Sequence, residues 1–323
     1  MKYLRLLALL LGLVLFPGVV PATPARLSFV GGPDGGTFQY FSNGIATRLN
    51  RQRPATFQVV HLPSAGSVEN IRRVNSGDAD FGIAYSGDTW LARQGKLSDD
   101  PKPYRNIRAV AFLYGAPAHL VVPADSTIRS VEDLAGHSIA VGATGSGAAT
   151  AARRYFSVLG LWSKLRVKMI GYNRAAQALA AGQVDAMWAF AGFPNASITQ
   201  LAAKMPIRLL DTWPAGRKQG LDRVFPFYTP VTIPAGTYAG VDTEIKTFQD
   251  AAIWIAGKHL DADLVRQALE EIFSPEGLTF MVRVKKTAKE MSIGSGLTGI
   301  VIPVHPGAAA FWRSKGLKAI PVE

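Results

Sequence analysis

The segment RLSFVGGPDGGTF, residues 26–38, decides the fold class. A short run typical of a strand, residues 26–30, leads directly into a glycine-rich loop, residues 31–36, and Thr37 opens a helical pattern toward Leu49. Strand, glycine loop and helix in this order form the basic βα unit. The plan recurs with predicted strands over 56–61 and 79–84 and a helix over 68–76. This alternation predicts an α/β fold, a mostly parallel sheet flanked by helices.

A second βα series begins near residue 119. It alternates predicted strands and helices, namely strands over 119–122, 138–141, 165–170 and 186–190 and helices over 130–134, 148–159 and 174–181. Two series predict two lobes, each a mostly parallel sheet flanked by helices, with a ligand cleft between them. Extended segments over 116–123 and 225–237 are predicted to cross between the lobes. The first lobe is then discontinuous, with residues 26–118 and 235–323, and the second takes residues 119–234.

The two series share a turn. Residues 74–82 and 179–187 both run from a helix through a glycine and an aspartate into an apolar strand. In each, Gly77 or Gly182 is expected to end the helix, and Asp80 or Asp185 to precede the strand. A generic turn between helix and strand explains this pattern as well as a relation between two equivalent lobes does.

The N-terminus predicts export. Lys2 and Arg5 precede an apolar run over residues 6–16, followed by small residues, which is the plan of a signal peptide cleaved ahead of Arg26. An uncleaved N-terminal anchor is the alternative. The apolar run is shorter than the roughly 20 residues that span a bilayer, so a protein released into the periplasm is expected.

Composition excludes several classes of protein. The chain has no cysteine, which excludes disulfides, thiolate metal sites and a lipid-modified cysteine at the cleavage junction. Its formal net charge of +12 favours anionic partners, but its lysines and arginines are scattered, so no nucleic-acid partner is predicted. A hydrophobic content of 48% excludes a disordered chain.

Three glycine-containing or polar loops are candidate anion sites. The first, residues 31–37, and the second, residues 142–147, each lie between a strand and a helix, where backbone N–H groups can hold a carboxylate. The third, residues 63–67, leads into a helix whose first turn contains Asn70. Asp34 repels an anion unless it points away or engages a donor. Purely structural turns are the alternative for all three loops, and Asn70 is as likely to serve the helix start as the ligand.

Aromatic residues gather near the same strand ends. Trp188 and Phe190 lie on an apolar strand, which favours core packing. Tyr85 and Phe193 lie where strands give way to loops, and they are the better candidates for lining a cleft.

Catalytic patterns are missing from the sequence. The five histidines have no metal-binding spacing, and no serine lies in a nucleophile-elbow pattern. His305, between two prolines in its segment, is predicted to shape a turn. No catalytic residue, metal site or cofactor is therefore predicted.

A set of short motifs resembles the TAXI-type solute receptors of tripartite ATP-independent periplasmic (TRAP) transporters. The motifs follow one another at matching spacing over nearly the whole chain after the signal segment, and they lie at residues 35–38, 67–72, 76–80, 119–122, 130–136, 139–147, 182–186, 191–194, 233–238 and 305–313. The resemblance departs at Asp34, in a loop that is usually uncharged, and at Gln39-Tyr40, Trp188 and Phe190.

The resemblance implies a function and a site. It implies the two-lobed fold of periplasmic binding proteins and a monomeric periplasmic receptor, not an enzyme. This receptor closes on a small organic anion, namely an amino acid or a dicarboxylate such as glutamate or 2-oxoglutarate. It then delivers the anion to a TRAP-type permease. The ligand contacts it implies are Gly36, Thr37, Phe38, Ser64, Ala65, Gly66, Ser67, Asn70, Tyr85, Thr144, Gly145, Ser146, Gly147, Ala191, Gly192 and Phe193. The alternatives are a ligand sensor for a membrane signalling partner and a secreted hydrolase.

Overall fold

The structure, a computed structural model, describes residues 24–97 and 100–318. The predicted signal peptide lies outside the described residues apart from its last two. Within the described ranges, no helix combines the length and the apolar character that a membrane crossing requires.

Ten strands and eleven α-helices make up the described chain. The strands are β1 (Ala25–Val30), β2 (Phe57–Leu62), β3 (Phe81–Tyr85), β4 (Ile107–Pro123), β5 (Ser138–Ala140), β6 (Arg166–Lys168), β7 (Ala186–Phe190), β8 (Ile207–Leu209), β9 (Thr229–Ile233) and β10 (Ile245–Gly257). The helices are α1 (Thr37–Gln52), α2 (Ser67–Ser76), α3 (Ser86–Arg93), α4 (Gly147–Val158), α5 (Tyr172–Ala180), α6 (Ala196–Ala202), α7 (Trp213–Lys218), α8 (Leu221–Val224), α9 (Ala262–Ile272), α10 (Pro275–Val284) and α11 (Pro306–Ser314). The predicted helix over 130–134 is a single 3₁₀ turn, Glu132–Leu134.

The two βα series form the two ends of one sheet. Its strand order is β2-β1-β3-β10-β4-β7-β5-β6, with β8 beside β4 and β9 beside β10. Within each series the strands pair in parallel, β1 with β2 and β3, and β5 with β6 and β7. The expected crossover units are therefore present in both halves.

Two long strands join the halves and make the sheet mixed instead of mostly parallel. Strand β4 pairs antiparallel with β10 through residues 107–117 and with β7 and β8 through residues 118–123. Strand β10, which was not predicted, also pairs antiparallel with β3 and β9. Segment 116–123 is thus the end of β4, and segment 225–237 contains β9. The change of partner after Pro117 lies next to the expected lobe boundary, but the boundaries themselves stay a prediction.

The shared turn has the same contacts in both halves. In the first half, Asp80 accepts hydrogen bonds from the backbone N–H of Ser28 (2.8 Å) and from its hydroxyl (2.9 Å). In the second, Asp185 accepts both from Ser138, each at 2.7 Å. Each serine hydroxyl in turn accepts the backbone N–H of its aspartate at 3.0 Å. Each aspartate therefore ties the strand after the turn to the strand beside it.

Aromatic side chains fill the core beneath the sheet. Trp188 is fully buried, stacks on Tyr155 with ring centroids 5.5 Å apart, and donates its indole N–H to the Ala148 carbonyl at 3.1 Å. Its predicted core position is confirmed. Phe190 is equally buried, but one side of its ring faces a cavity.

Candidate ligand-binding site

A cavity of about 370 Å³ lies where the two βα series meet. Most of the predicted contact residues line it, namely Gly36, Thr37, Phe38, Ala65, Gly66, Ser67, Tyr85, Ser146, Gly147 and Ala191. Both halves of the chain thus contribute walls to one enclosure.

Four helices begin at the cavity wall. Helices α1, α2, α4 and α5 start after the N-cap residues Gly36, Gly66, Ser146 and Gly171, and every one of these caps and the residue that follows it line the cavity. The first N–H groups of a helix have no acceptor within the helix, and its N-terminus carries roughly half a positive charge. The cavity is therefore surrounded by hydrogen-bond donors and by four positive helix ends.

Glycine caps keep these donors accessible. At Gly36, Gly66 and Gly171 no side chain accepts a hydrogen bond from the first turn of the helix, whereas the Ser146 hydroxyl accepts the Ala149 N–H at 3.1 Å. Gly66 has a φ of 122°, which other residues rarely adopt. The sequence thus leaves three of the four helix starts without a capping side chain.

Two buried hydroxyls also face the cavity without a hydrogen-bond partner. They belong to Thr37 and Tyr114, whose side chains are 2% and 0% exposed. Burial, and then the nearby Tyr172, raise the pKa of Tyr114 well above its usual value, so its phenol stays protonated. The nearby Thr37 hydroxyl offsets part of this rise in the pKa of Tyr114, but the two hydroxyls form no hydrogen bond of normal geometry. Both groups can donate to a bound oxygen atom.

An aromatic wall completes the enclosure. The Phe38 and Tyr85 rings lie 4.8 Å apart and the Tyr85 and Phe190 rings 5.0 Å apart. The Tyr85 hydroxyl donates to the Phe190 carbonyl, as does the Tyr172 hydroxyl at 2.9 Å. The wall is held in place by these bonds and offers an apolar surface to the carbon skeleton of a ligand.

Charge is absent from the lining. None of the described residues around this cavity is an aspartate, glutamate, lysine, arginine or histidine. Asp34, the expected source of repulsion, accepts a hydrogen bond from the Gln39 side chain at 2.8 Å and does not line the cavity. Serines line it at positions 67 and 146, but the lining holds no base to activate them.

Six predicted contacts lie elsewhere, for local reasons. The amide of Asn70 donates to the carbonyls of Gly31 (2.6 Å) and Ile83 (2.7 Å), and the Ser64 hydroxyl donates to Gly31 (3.1 Å). These two side chains shape the first and third loops instead of lining the cavity. The other four outside the lining are Thr144, Gly145, Gly192 and Phe193.

Those four residues lie at two other places. Thr144 and Gly145 line an outer groove beside α2, and Gly192 packs against Thr287 and the Tyr114 ring. The Phe193 carbonyl accepts the Thr287 hydroxyl at 3.3 Å. Phe193 is not among the lining residues of this cavity, and its contact with a ligand stays a prediction.

Eight lining residues were not among the predicted ligand contacts, although Pro33, Gly142 and Ala143 lie in the candidate loops. They are Pro33, Tyr114, Gly142, Ala143, Ala148, Gly171, Tyr172 and Phe190. Gly171 could have been found, because a glycine before the helical pattern that starts at Tyr172 is a plausible N-cap. Tyr114 lies inside the apolar run of β4 and carries no local signal.

Behind the cavity lies a buried charged cluster, composed of Asp88, Arg154 and Asp250. Arg154 on α4 forms an ion pair with Asp88 on α3 at 2.7 Å, with side-chain exposures of 11% and 0%. Burial, and then the charge of Asp88, raise the pKa of Asp250 well above its usual value, although Asp250 accepts the Gly87 N–H at 3.1 Å. The second oxygen of Asp88 has no hydrogen-bond partner among the described residues.

The model of the NMT1-like family matches residues 29–316. The chain belongs to the NMT1-like family. This match covers almost all of the described residues and includes every part of the cavity.

Solved structures resemble this NMT1-like protein in fold. A protein from Bordetella bronchiseptica is 17% identical, with 92% of this chain and 83% of that one covered and a TM-score of 0.52. The substrate-binding protein of an amino acid ABC transporter is 14% identical, with coverage of 81% and 100% and a TM-score of 0.50. A periplasmic transporter is 13% identical, with coverage of 84% and 95% and a TM-score of 0.51.

These similarities confirm the predicted fold class. The NMT1-like chain has the α/β fold of periplasmic binding proteins, with a mixed sheet and flanking helices. The second and third of these proteins serve transport.

Proposed function

We propose that this protein is a non-enzymatic solute-binding receptor that captures a small organic anion outside the cytoplasmic membrane. The observation that carries the proposal is the convergence of four helix N-termini on one cavity whose described lining has no charged side chain. Backbone donors and positive helix ends favour an anion, and a carboxylate is the commonest anion on small metabolites.

The unpartnered hydroxyls support the same ligand class. A buried donor without a partner is costly, and a bound carboxylate or carbonyl oxygen supplies acceptors for both Thr37 and Tyr114. The aromatic wall suits a short carbon skeleton. The proposed ligand is an amino acid or a dicarboxylate such as glutamate or 2-oxoglutarate, in keeping with the resemblance to TAXI-type receptors.

Capture by closure is the proposed mechanism. On the predicted lobe division, α2 and α4 belong to different lobes, and they meet where the Glu69 N–H donates to the Gly145 carbonyl at 3.3 Å. A methyl group at Gly147 would lie 2.4 Å from the Tyr85 ring and 2.7 Å from the Ser67 side chain. This close approach of the two halves leaves a bound ligand no exit, and opening releases it to a membrane partner.

A transporter is the proposed recipient of the ligand. The resemblance of the motifs to TAXI-type receptors favours a TRAP-type permease, with the protein acting as a periplasmic monomer. An ABC-type importer is the alternative, because one protein of similar fold is the binding component of an amino acid ABC transporter.

The test is ligand-dependent thermal stability, measured on protein unfolded and refolded to remove any carried-over ligand. Glutamate, 2-oxoglutarate and succinate are the probes, and agmatine and leucinamide, which have no carboxylate, are the controls. A ligand at 100 times its dissociation constant should stabilise the native state by about 2.7 kcal/mol. Stabilisation by an anion, without turnover of that anion, supports the proposal.

Two variants sharpen this test. Gly147→Ala should abolish the ligand-dependent shift by blocking closure, while Gly294→Ala, whose added methyl group meets no atom nearer than 3.9 Å, should keep it. Stabilisation only by compounds without a carboxylate, or an equal ligand response in both variants, contradicts the proposal.

A further inference from the structure

A basic groove lies on the side of α3 that faces away from the ligand cavity. It occupies about 880 Å³ and is lined by Trp90, Arg93, Gln94, Lys96, Arg105, Val301 and Ile302. It shares no lining residue with the ligand cavity. Its chemistry is therefore independent of the site described above.

The cations of the groove lack counter-charges. No aspartate or glutamate in residues 24–97 and 100–318 forms an ion pair with Arg93, Lys96, Arg105 or the adjacent Arg108. Arg108 donates instead to the carbonyls of Arg105 (2.8 Å) and Ile107 (2.9 Å). Other arginines of this protein are paired, for example Arg48 with Glu271 at 2.7 Å. Cations without an ion pair among the described residues also occur elsewhere on the surface, but here three of them line one groove.

Arg93 shows most clearly that a partner is missing. One of its terminal nitrogens, Nη1, is buried and has no hydrogen-bond acceptor among the described residues. Burial lowers the pKa of Arg93, and the charges of Arg108 and Arg105 lower it further. A bound carboxylate would supply the acceptor and relieve the repulsion, because the planar guanidinium matches a carboxylate in two parallel hydrogen bonds.

We propose that this basic groove binds an acidic segment of a partner protein. The apolar side chains within it favour a polypeptide over a free small anion. Val301 is 39% exposed, and Trp90 packs on the Phe227 ring with centroids 6.1 Å apart, so the groove offers apolar surface beside its cations. The concave shape and the mixture of cations with apolar surface match a short peptide bearing carboxylates.

Helix α3 connects this groove with the ligand cavity. Tyr85, immediately before α3, lines the cavity. In the first turn of α3, Asp88 pairs with Arg154 of α4. In the last turn of α3, Arg93 lines the groove. A partner bound at the groove therefore contacts the same helix that contributes to closure. This connection rests on the proposed receptor function, but acidic-peptide binding by the groove does not.

The test measures binding of a fluorescein-labelled oligoglutamate peptide by fluorescence anisotropy. The triple variant Arg93→Gln, Lys96→Gln, Arg105→Gln should weaken binding about tenfold or more, as expected when charge-assisted hydrogen bonds are lost. The matched control Lys204→Gln, Arg217→Gln, Lys218→Gln removes the same charge from surface positions outside the groove. It should change the affinity by less than about twofold, because it alters only long-range attraction.

Charge reversal keeps the test falsifiable if the glutamine variant folds poorly. The variant Arg93→Glu, Lys96→Glu, Arg105→Glu should instead bind an oligolysine peptide. Equal losses in the groove variant and its control overturn the proposal, as does groove-dependent binding of phosphatidylglycerol vesicles or inorganic phosphate without peptide binding. The ligand-dependent thermal shift should be unchanged in the glutamine variant, so failure of the receptor proposal is a separate result.

Discussion

The ligand cavity and the buried charged cluster share helix α4, yet they use opposite chemistry. The cavity has only neutral donors and helix ends, whereas the cluster behind it packs Asp88, Arg154 and Asp250 together. A ligand site must tolerate being empty, and partial charges from helix ends are less costly to leave without a counter-charge than buried ionised side chains. The charged cluster is a fixed contact between α3 and α4 and is never emptied, so it can contain ionised side chains.

The comparison also separates two roles in closure. On the predicted lobe division, Asp88 and Arg154 come from different lobes, so their ion pair links the two halves. A ligand in the cavity then adds stabilisation that depends on that ligand. The cluster adds stabilisation that is the same for every ligand. Variants in each region should therefore differ in whether their effects depend on ligand.

The largest effect is expected at Arg154. Replacement by methionine leaves Asp88 buried without its cation, which should lower the free energy of unfolding by about 3–5 kcal/mol. The Phe225 and Phe227 rings, each 5.9 Å from the guanidinium, can still pack on the methionine. Urea unfolding without ligand measures the change.

A double variant checks the cause. Adding Asp88→Asn to Arg154→Met removes the uncompensated carboxylate, so part of the lost stability should return. A double variant less stable than Arg154→Met alone would show that the ion pair is not the reason for the loss.

The next largest effect is a pH dependence caused by Asp250. Its folded pKa is raised by burial and by Asp88, so the native state binds the extra proton and stability falls as pH rises from the unfolded pKa toward the folded pKa. One proton contributes a slope of at most about 1.4 kcal/mol per pH unit. The stability difference between Asp250→Asn and the unchanged protein should therefore grow in favour of the variant as pH rises above about 4. Urea unfolding over a pH series measures it, and a constant difference would contradict the role of this carboxyl.

Much of this architecture was predictable because its signals are local. The glycine loops, the helix starts at Thr37 and Ser67, and the shared turn with Asp80 and Asp185 follow from a few neighbouring residues. The fold class was confirmed, and the loops of both halves do meet at one cavity. Whether the lining residues contact a ligand stays a prediction.

The missed features depend on partners distant in sequence. Strand β10 includes Gln249 and Asp250, polar residues that weaken an apolar strand pattern, and the burial of Asp250 is explained only by Gly87 and Arg154. Tyr114 reads as one more core residue of β4, because only the fold brings it beside Thr37. Charge pairing and cavity lining were therefore the least predictable parts.

The smallest effect, and the most specific to the cavity, is expected from removing the two unpartnered hydroxyls. Thr37→Val and Tyr114→Phe should each weaken binding of an anion found by the thermal-stability test about tenfold, because a hydrogen bond to a charged group is lost. Without ligand, neither variant should lose stability, since neither hydroxyl has a hydrogen-bond partner of normal geometry among the described residues. Tyr172→Phe is the control, because its hydroxyl donates to the Phe190 carbonyl at 2.9 Å and its loss should lower stability without ligand. Titration calorimetry and unfolding without ligand, measured on all three variants, distinguish a ligand-directed hydroxyl from a structural one. A loss of ligand-free stability in Thr37→Val as large as that in Tyr172→Phe would assign Thr37 to the structure of the cavity wall and not to the ligand.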